Sequence, residues 1–292
     1  MSDKKKLLVG ITQGDSNGIG YEVIIKALSD ERILDQLTPV VYGSPKLFSF
    51  YEKTIPEIEK QLTLNVISDA KDARPKVINL VNCLPDSVYA EPGGPTPESA
   101  QHAITAIERA VQDAKDGKID VVVTGPINKK SMSLQGFKFP GHTEYFQNAF
   151  GKSDVAMFMV SSRLMVGVVT GHMPLKEVPS SITEDKILSQ LRLLNTSLRQ
   201  DFCIDEPRIG VLSLNPHSGD GGLLGDEEQN VILPAIAKAQ AEGIQAFGAY
   251  SPDGYFGLGT YEHFDATLAM YHDQGLAPFK SIAFSDGVNF TA

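Results

Sequence analysis

The chain has 292 residues, enough for a large core and for two domains, and its 42% hydrophobic and 21% charged content is that of a globular protein. It carries 26 basic against 36 acidic residues, a formal net charge of −10. That excludes general nucleic-acid binding, which needs a basic surface, but leaves room for an anionic small substrate held by a few local cations.

The run Leu7 to Ile11 reads as a buried strand. It leads through Gly14-Asp15-Ser16-Asn17-Gly18-Ile19-Gly20 into a helical pattern from Tyr21 to Leu28. Strand, glycine loop and helix can point backbone N–H groups at an anion, though the spacing matches neither common nucleotide-binding fingerprint and reads equally as a tight turn. Pro39 to Gly43 and Lys76 to Val81 are further strand-like runs. After Pro92-Gly-Gly-Pro95, Thr96 as N-cap with Pro97 and Glu98 behind it predicts a helix that Gly117 ends, with Ala100, Ala103, Ile104, Ile107, Ala110 and Val111 on its apolar face. His102 lies on that helix and reads as structural or superficial. Ile119 to Val123 is an apolar strand opening into Thr124-Gly125-Pro126-Ile127-Asn128-Lys129. His142 and Thr143 begin a helix, either as donors to an anion or hydroxyl or as a plain helix start. Asp154 to Val160 and Leu164 to Val169 predict an antiparallel pair, and a helix with Ile187, Leu188, Leu191, Leu194 and Leu198 on one face follows. Ile209 to Leu214 and Gln245 to Tyr250 are strands. The glycine-rich loop Gly219 to Gly225 between them feeds a helix opening Asp226-Glu227-Glu228, acids that suit a helix N-terminus. Ser281 to Phe284 reads as a last strand. The alternation predicts α/β structure with a largely parallel sheet.

Three of the six histidines stop an apolar run: His172 after Leu164 to Thr170, His217 after Ile209 to Leu214, and His272 after Ala266 to Tyr271. Ligands bind beyond the carboxyl ends of strands in open α/β sheets. Three imidazoles converging there with one position open is a catalytic divalent-metal arrangement, so His172, His217 and His272 are the expected ligands of one ion. His263 has no such placement and reads as structural. Asp273 and Asp253 are candidates for orienting imidazoles, or for turn and cap roles. The two cysteines, Cys83 and Cys203, have neither metal spacing nor a disulfide framework. No run reaches the ~18 apolar residues of a membrane span, and the one after Lys4-Lys5-Lys6 is too short for a signal sequence, so a cytoplasmic location is expected.

Taken in order, Gly14-Asp15-x-x-Gly18-Ile19-Gly20-x-Glu22, Thr124-Gly125-Pro126-Ile127-Asn128-Lys129, Gly141-His142-Thr143-Glu144, Gly171-His172, Asn215-Pro216-His217-x-Gly219, Ser251-Pro252-Asp253 and Tyr271-His272-Asp273-Gln274-Gly275 resemble the motifs of the 4-hydroxythreonine-4-phosphate dehydrogenase family. The resemblance covers nearly the whole chain. It implies an isocitrate/isopropylmalate-dehydrogenase-like fold, two α/β domains around a cleft, with lobes expected at about residues 1–125 plus 250–292 and 126–249. It also implies a homodimer that completes each active site, with metal-binding groups contributed across the interface.

By resemblance the metal ligands are His172, His217 and His272, and His142, Thr143, Lys280 and Asn289 are substrate positions. The cofactors implied are NAD and a divalent metal, zinc first, with cobalt, manganese or magnesium as alternatives. Ser16 stands where the family usually has proline. Family members also run some tens of residues past Ala292, through another substrate-contacting arginine and a segment that helps hold the dinucleotide, and that segment is expected to be absent here.

The expected reaction is oxidation of the secondary alcohol of 4-phosphooxy-L-threonine to a β-keto acid, which decarboxylates to 3-amino-2-oxopropyl phosphate. Lys280 is expected to contact substrate and to shuttle a proton, with Asp273 and Asp253 in support. The competing readings are a paralogue acting on threonate or erythronate 4-phosphate, a three-histidine metal hydrolase, and a metal- or phosphometabolite-binding protein without turnover.

Overall fold

Continuous branched apolar runs become parallel strands covered on both faces, and the chain forms two such layered units. The computed structural model describes residues 6–58, 60–152 and 154–292. Contacts divide the chain into Met1–Gly151 and Lys152–Ala292.

The first unit contains β1 (Leu7–Thr12), α1 (Gly20–Leu28), α2 (Glu31–Gln36), β2 (Leu37–Gly43), α3 (Pro45–Glu52), β3 (Leu64–Ile67), β4 (Ile78–Asn82), α4 (Pro97–Lys115), β5 (Val121–Thr124), α5 (Lys129–Leu134) and α6 (His142–Phe150). Its sheet runs β3-β4-β2-β1-β5, and every pairing is parallel. The helix expected after the proline–glycine loop is α4. Thr96 and Ser99 cap each other's backbone N–H groups at its start, Pro97 stands in the first turn, and the apolar face from Ala100 to Val111 is buried.

The second unit contains β6 (Met157–Val160), β7 (Met165–Thr170), α7 (Val178–Ser181), α8 (Glu184–Gln200), β8 (Arg208–Leu212), α9 (Leu233–Ala241), β9 (Gln245–Tyr250), α10 (Pro252–Gly257), β10 (Ala266–Tyr271), α11 (His272–Ala283) and β11 (Val288–Thr291). Its sheet runs β11-β6-β7-β10-β8-β9. The four strands from β7 to β9 are parallel, and β6 and β11 join antiparallel. Leu188, Leu191, Leu194 and Leu198 of α8 are buried in the core of this unit with Ile209, Val211 and Leu268. Among the described residues no helix is long and apolar enough to cross a membrane.

Three expectations change. Residues 250–292 do not return to the first lobe, because β10 inserts between β7 and β8 and so belongs to the second sheet. Ser281 to Phe284 is not a strand. The apolar spacing of Leu276, Phe279 and Ala283 carries α11 through Ala283, and the last strand is β11, hydrogen-bonded to β6. The stretch after Gly225 does not open as an ordinary α-helix at Asp226. A π-helical turn spans Glu228–Ile232, and α9 starts at Leu233.

Candidate active site

β10 is flanked by β7 on one side and β8 on the other, all parallel. Their carboxyl ends face one edge, and at ~4.8 Å per strand the three ends span about 10 Å. His172 follows β7 by two residues, His272 follows β10 directly, and His217 follows β8 by five.

His272 is both strand exit and helix start. Tyr271 is extended, and α11 begins at the histidine. Two neighbours hold it there. The buried Gln274 accepts from the N–H of Met270 at 2.7 Å and donates to the carbonyl of Ser213 at 2.7 Å, tying the ends of β10 and β8 together. A side chain at Gly275 would put its Cβ 2.6 Å from Val166, so glycine lets α11 lie close on the sheet. The imidazole Nδ1 of His272 lies 2.7 Å from Asp273 Oδ1. A carboxylate only accepts, so the proton between them sits on Nδ1, and in the neutral ring Nε2 then carries the lone pair. The rings of His172 and His272 are 5.3 Å apart between centroids, tilted by 42°. Two imidazoles at that spacing suit a shared divalent ion, and their nitrogen donors suit zinc or another imidazole-favouring metal.

His217 enters differently. His217, Ser218, Gly219, Asp220 and Gly221 all have positive φ, between 44° and 78°, so the chain makes a left-handed turn with three non-glycine residues in it. Each such residue costs about 1–2 kcal/mol, and conformations of this kind cluster at functional sites. Ser218 Oγ donates to the carbonyl of Ala249 at 3.0 Å. Asp253 lies within electrostatic reach of His217, and its carboxyl is held below the usual range, chiefly by the Ser251 hydroxyl, then by backbone N–H groups and His217. Thus the structure brings His172 and His272 together. Among the described residues no group of three or more His, Cys, Asp or Glu side chains is arranged to hold a metal, so His217 does not join that pair within the chain.

In the first unit, two motifs meet at the carboxyl ends of β1 and β5. The N–H of Asp15 donates to Pro126 O at 2.9 Å, and the N–H of Gly125 to Thr12 O at 2.9 Å. Ser16, at the family's usual proline position, has its hydroxyl 3.0 Å from His102 Nδ1. His102 is therefore a partly buried partner of the glycine loop, and burial lowers its pKa. Farther on, His142 is the first residue of α6 and Asn128 caps α5 through the N–H of Ser131. A Cβ on Gly141 would lie 3.6 Å from Lys129 Nζ, so the ammonium stands at the head of α6. His142 Nε2 is buried without a hydrogen-bond partner, as is Gln13 Nε2. Helix terminus, cation and an unpartnered imidazole nitrogen make a corner suited to an anionic or hydroxylic group.

Burial, then the nearby Lys129 ammonium, pushes the His142 pKa down to about 4. The unfolded chain takes up this proton near pH 6.5 and the folded one does not, so stability is full above that pH and falls as the pH drops toward 4. Urea unfolding should lose up to about 3 kcal/mol between pH 7 and pH 4 through this group. His142→Gln should flatten that part of the profile; an unchanged profile would show that His142 is not buried neutral.

Two of the remaining expected residues, Lys280 and Asn289, lie away from the histidine edge of their own unit. Lys280 is exposed eight residues into α11, about 12 Å along its axis from His272. Asn289 pairs with Met159, and Met159 with Val166, near the amino end of β7 and away from the histidine edge. Thr143 is part-buried beside His142 in the first unit, and His263 is exposed at the end of a short 3-10 turn. Sequence reasoning missed Gln274 and Glu228. A glutamine two residues after a strand-end histidine is the signal that would have found the first; an acid after a glycine loop is too common to have found the second.

The fold is α/β, of the isocitrate/isopropylmalate-dehydrogenase-like class expected from the sequence. The chain matches the family model for the pyridoxal phosphate biosynthetic protein PdxA over residues 35–292. It is 46% identical over 291 residues to the 4-hydroxythreonine-4-phosphate dehydrogenase of Bacteroides thetaiotaomicron, covering 99% of this chain and 79% of that one. Among solved structures, the 4-hydroxythreonine-4-phosphate dehydrogenase of Klebsiella pneumoniae is 32% identical with a TM-score of 0.86, covering 100% of this chain and 88% of that one. That of Burkholderia phymatum is 33% identical with a TM-score of 0.85, covering 99% and 87%. The chain belongs to the PdxA family and is an enzyme, a dehydrogenase.

Proposed function

We propose that the chain oxidises the secondary alcohol of 4-phosphooxy-L-threonine with NAD as hydride acceptor, giving a β-keto acid that loses CO2 to form 3-amino-2-oxopropyl phosphate. The observation that carries this reading is the His172–His272 pair at the carboxyl ends of adjacent parallel strands, with His217 leaving the next strand, in a member of this family. His172, His217 and His272 would hold one divalent ion, zinc by donor type, with cobalt, manganese or magnesium as alternatives. Bound there, the ion would act as a Lewis acid on the reacting oxygen during oxidation and decarboxylation.

The chain's own residues do the rest. Asp273 fixes the His272 tautomer so that Nε2 carries the lone pair a metal would take. Asp253 orients His217 electrostatically. His142 and Thr143, beside the Lys129 ammonium, hold the phosphate or another polar end of the substrate. Lys280 and Asn289 contact substrate, and Lys280 moves the proton released from the alcohol. Because they lie away from the histidine edge, and His217 stands apart from the histidine pair, a homodimer completes each site, with His217 given across the interface. The enzyme works in the cytoplasm.

The direct test removes and restores metal. Turnover of 4-phosphooxy-L-threonine, read as NADH formation, should vanish after dialysis against a chelator and return with zinc or cobalt. Turnover indifferent to chelation would end the metal-centred reading, and turnover confined to threonate or erythronate 4-phosphate would move the substrate assignment to that paralogue.

A further inference from the structure

The left-handed turn that carries His217 needs something to hold it, and a buried carboxylate is placed to do so. Glu228 is 1% exposed. Its Oε1 accepts from the backbone N–H of Leu214 at 2.8 Å and of Asn215 at 2.7 Å. Its Oε2 lies 3.0 Å from Asn215 Nδ2, which also donates to Glu227 Oε2 at 2.6 Å. No ion pair to Glu228 occurs among the described residues, so its charge is met by these N–H donors. Hydrogen bonds to an ionised acceptor are about twice as strong as neutral ones. The fit leaves no slack: a Cβ on Gly219 would stand 2.7 Å from both Glu228 Oε2 and Gly225 O, and one on Gly225 would overlap Asn215 Nδ2. The bonds grip Leu214 and Asn215, the two residues just before Pro216 and His217. Pro216 has a fixed φ, so little freedom remains between the clamp and the imidazole. From the other side, Ser218 Oγ fastens the turn to Ala249.

We propose that Glu228 is a positioning residue for His217: by clamping residues 214 and 215 it holds the strained turn that presents this imidazole to the metal. The inference rests on His217 being a metal ligand, as set out above. A carboxylate is needed because every partner is a donor. In Glu228→Gln one arm becomes an NH2 group facing Asn215 Nδ2, donor against donor. Asn215 cannot relieve this by flipping its amide, since its oxygen would then face Glu227 Oε2.

The test titrates the metal-free dimer with Co2+ and follows its visible absorption, in the wild type, Glu228→Gln and His217→Ala. Wild type should bind about one ion per chain. Glu228→Gln should bind at least about 10-fold more weakly, with circular dichroism unchanged, and its saturated Co2+ spectrum should match that of His217→Ala, having lost one imidazole. A merely structural glutamate would not move the spectrum toward that of one named ligand. Glu228→Gln with wild-type affinity and spectrum, while His217→Ala differs, overturns the proposal and leaves the metal reading standing. No Co2+ binding by the wild type overturns the metal reading and this inference with it. If Glu228→Gln does not fold, Glu228→Asp takes its place: it keeps the acid but, one methylene shorter, withdraws its oxygens from the N–H groups of Leu214 and Asn215. It should weaken Co2+ binding in the same direction, and unchanged binding there overturns the proposal.

Discussion

His272→Ala is expected to strip the chain of its divalent metal and to lower dehydrogenase turnover by about 10^3-fold or more. Lewis-acid stabilisation is worth several kcal/mol, and each 1.36 kcal/mol is tenfold in rate. The histidine supplies one half of the ring pair with His172, so its loss leaves a single imidazole at that edge. The fold should survive. α11 is set on the sheet by Gln274, which bridges Met270 and Ser213, and by the close approach of Gly275 to Val166, neither of which involves the imidazole. Elemental analysis after identical dialysis of wild type and variant checks the metal, and thermal unfolding checks the fold. Asp273→Ala is the graded companion. Its carboxylate fixes the His272 tautomer, but Asp273 is 84% exposed by side chain and water can replace it in part. Its effect on metal affinity should sit near the low end of the 10–100-fold range for such partners. A His272→Ala chain that retains full metal content would leave the histidine pair without a chemical role.

The sequence carried most of the scaffold because its signals there are local. Thr96-Pro97 marks a helix start through capping alone, and the leucines of Glu184–Gln200 mark a buried helical face through spacing alone. The strand-end histidines were legible for the same reason, since an apolar run stopped by a histidine is visible without knowing what the strand pairs with. Strand order was not legible. Nothing between Ala266 and Tyr271 says that this run slots between two strands about 50 and 100 residues earlier, and so the lobe boundary was misplaced. The left-handed turn at His217 was hidden because non-glycine residues such as His217, Ser218 and Asp220 seldom take positive φ in succession; tertiary bonds from Glu228 and Ala249 hold them there. Ser281 to Phe284 reads as a strand because a run this short does not tell strand from helix; α11 instead passes through Pro278 and continues to Ala283.

Mixing two inactive variants should restore activity. His217→Ala and His272→Ala should each be inactive alone, and equal amounts, after subunit exchange, should recover about a quarter of the wild-type rate if the dimer is symmetric and each site draws on both copies. Half of the dimers are then mixed. In a mixed dimer, one site takes its His172–His272 pair from the His217→Ala chain and an intact His217 from the other, while the second site carries both lesions. This arrangement is the one the proposed shared site requires. His172 and His272 pair, yet no third metal-binding side chain joins them among the described residues. His217 sits on an exposed turn followed by Leu223 and Leu224, 81% and 46% exposed, and Leu175, three residues after His172, is 68% exposed. Were the three histidines to act within one chain, every chain in the mixture would lack one ligand, and no proportion of the two variants would recover turnover. NADH formation after exchange therefore decides the matter, with size-exclusion chromatography of each variant checking that the dimer forms at all.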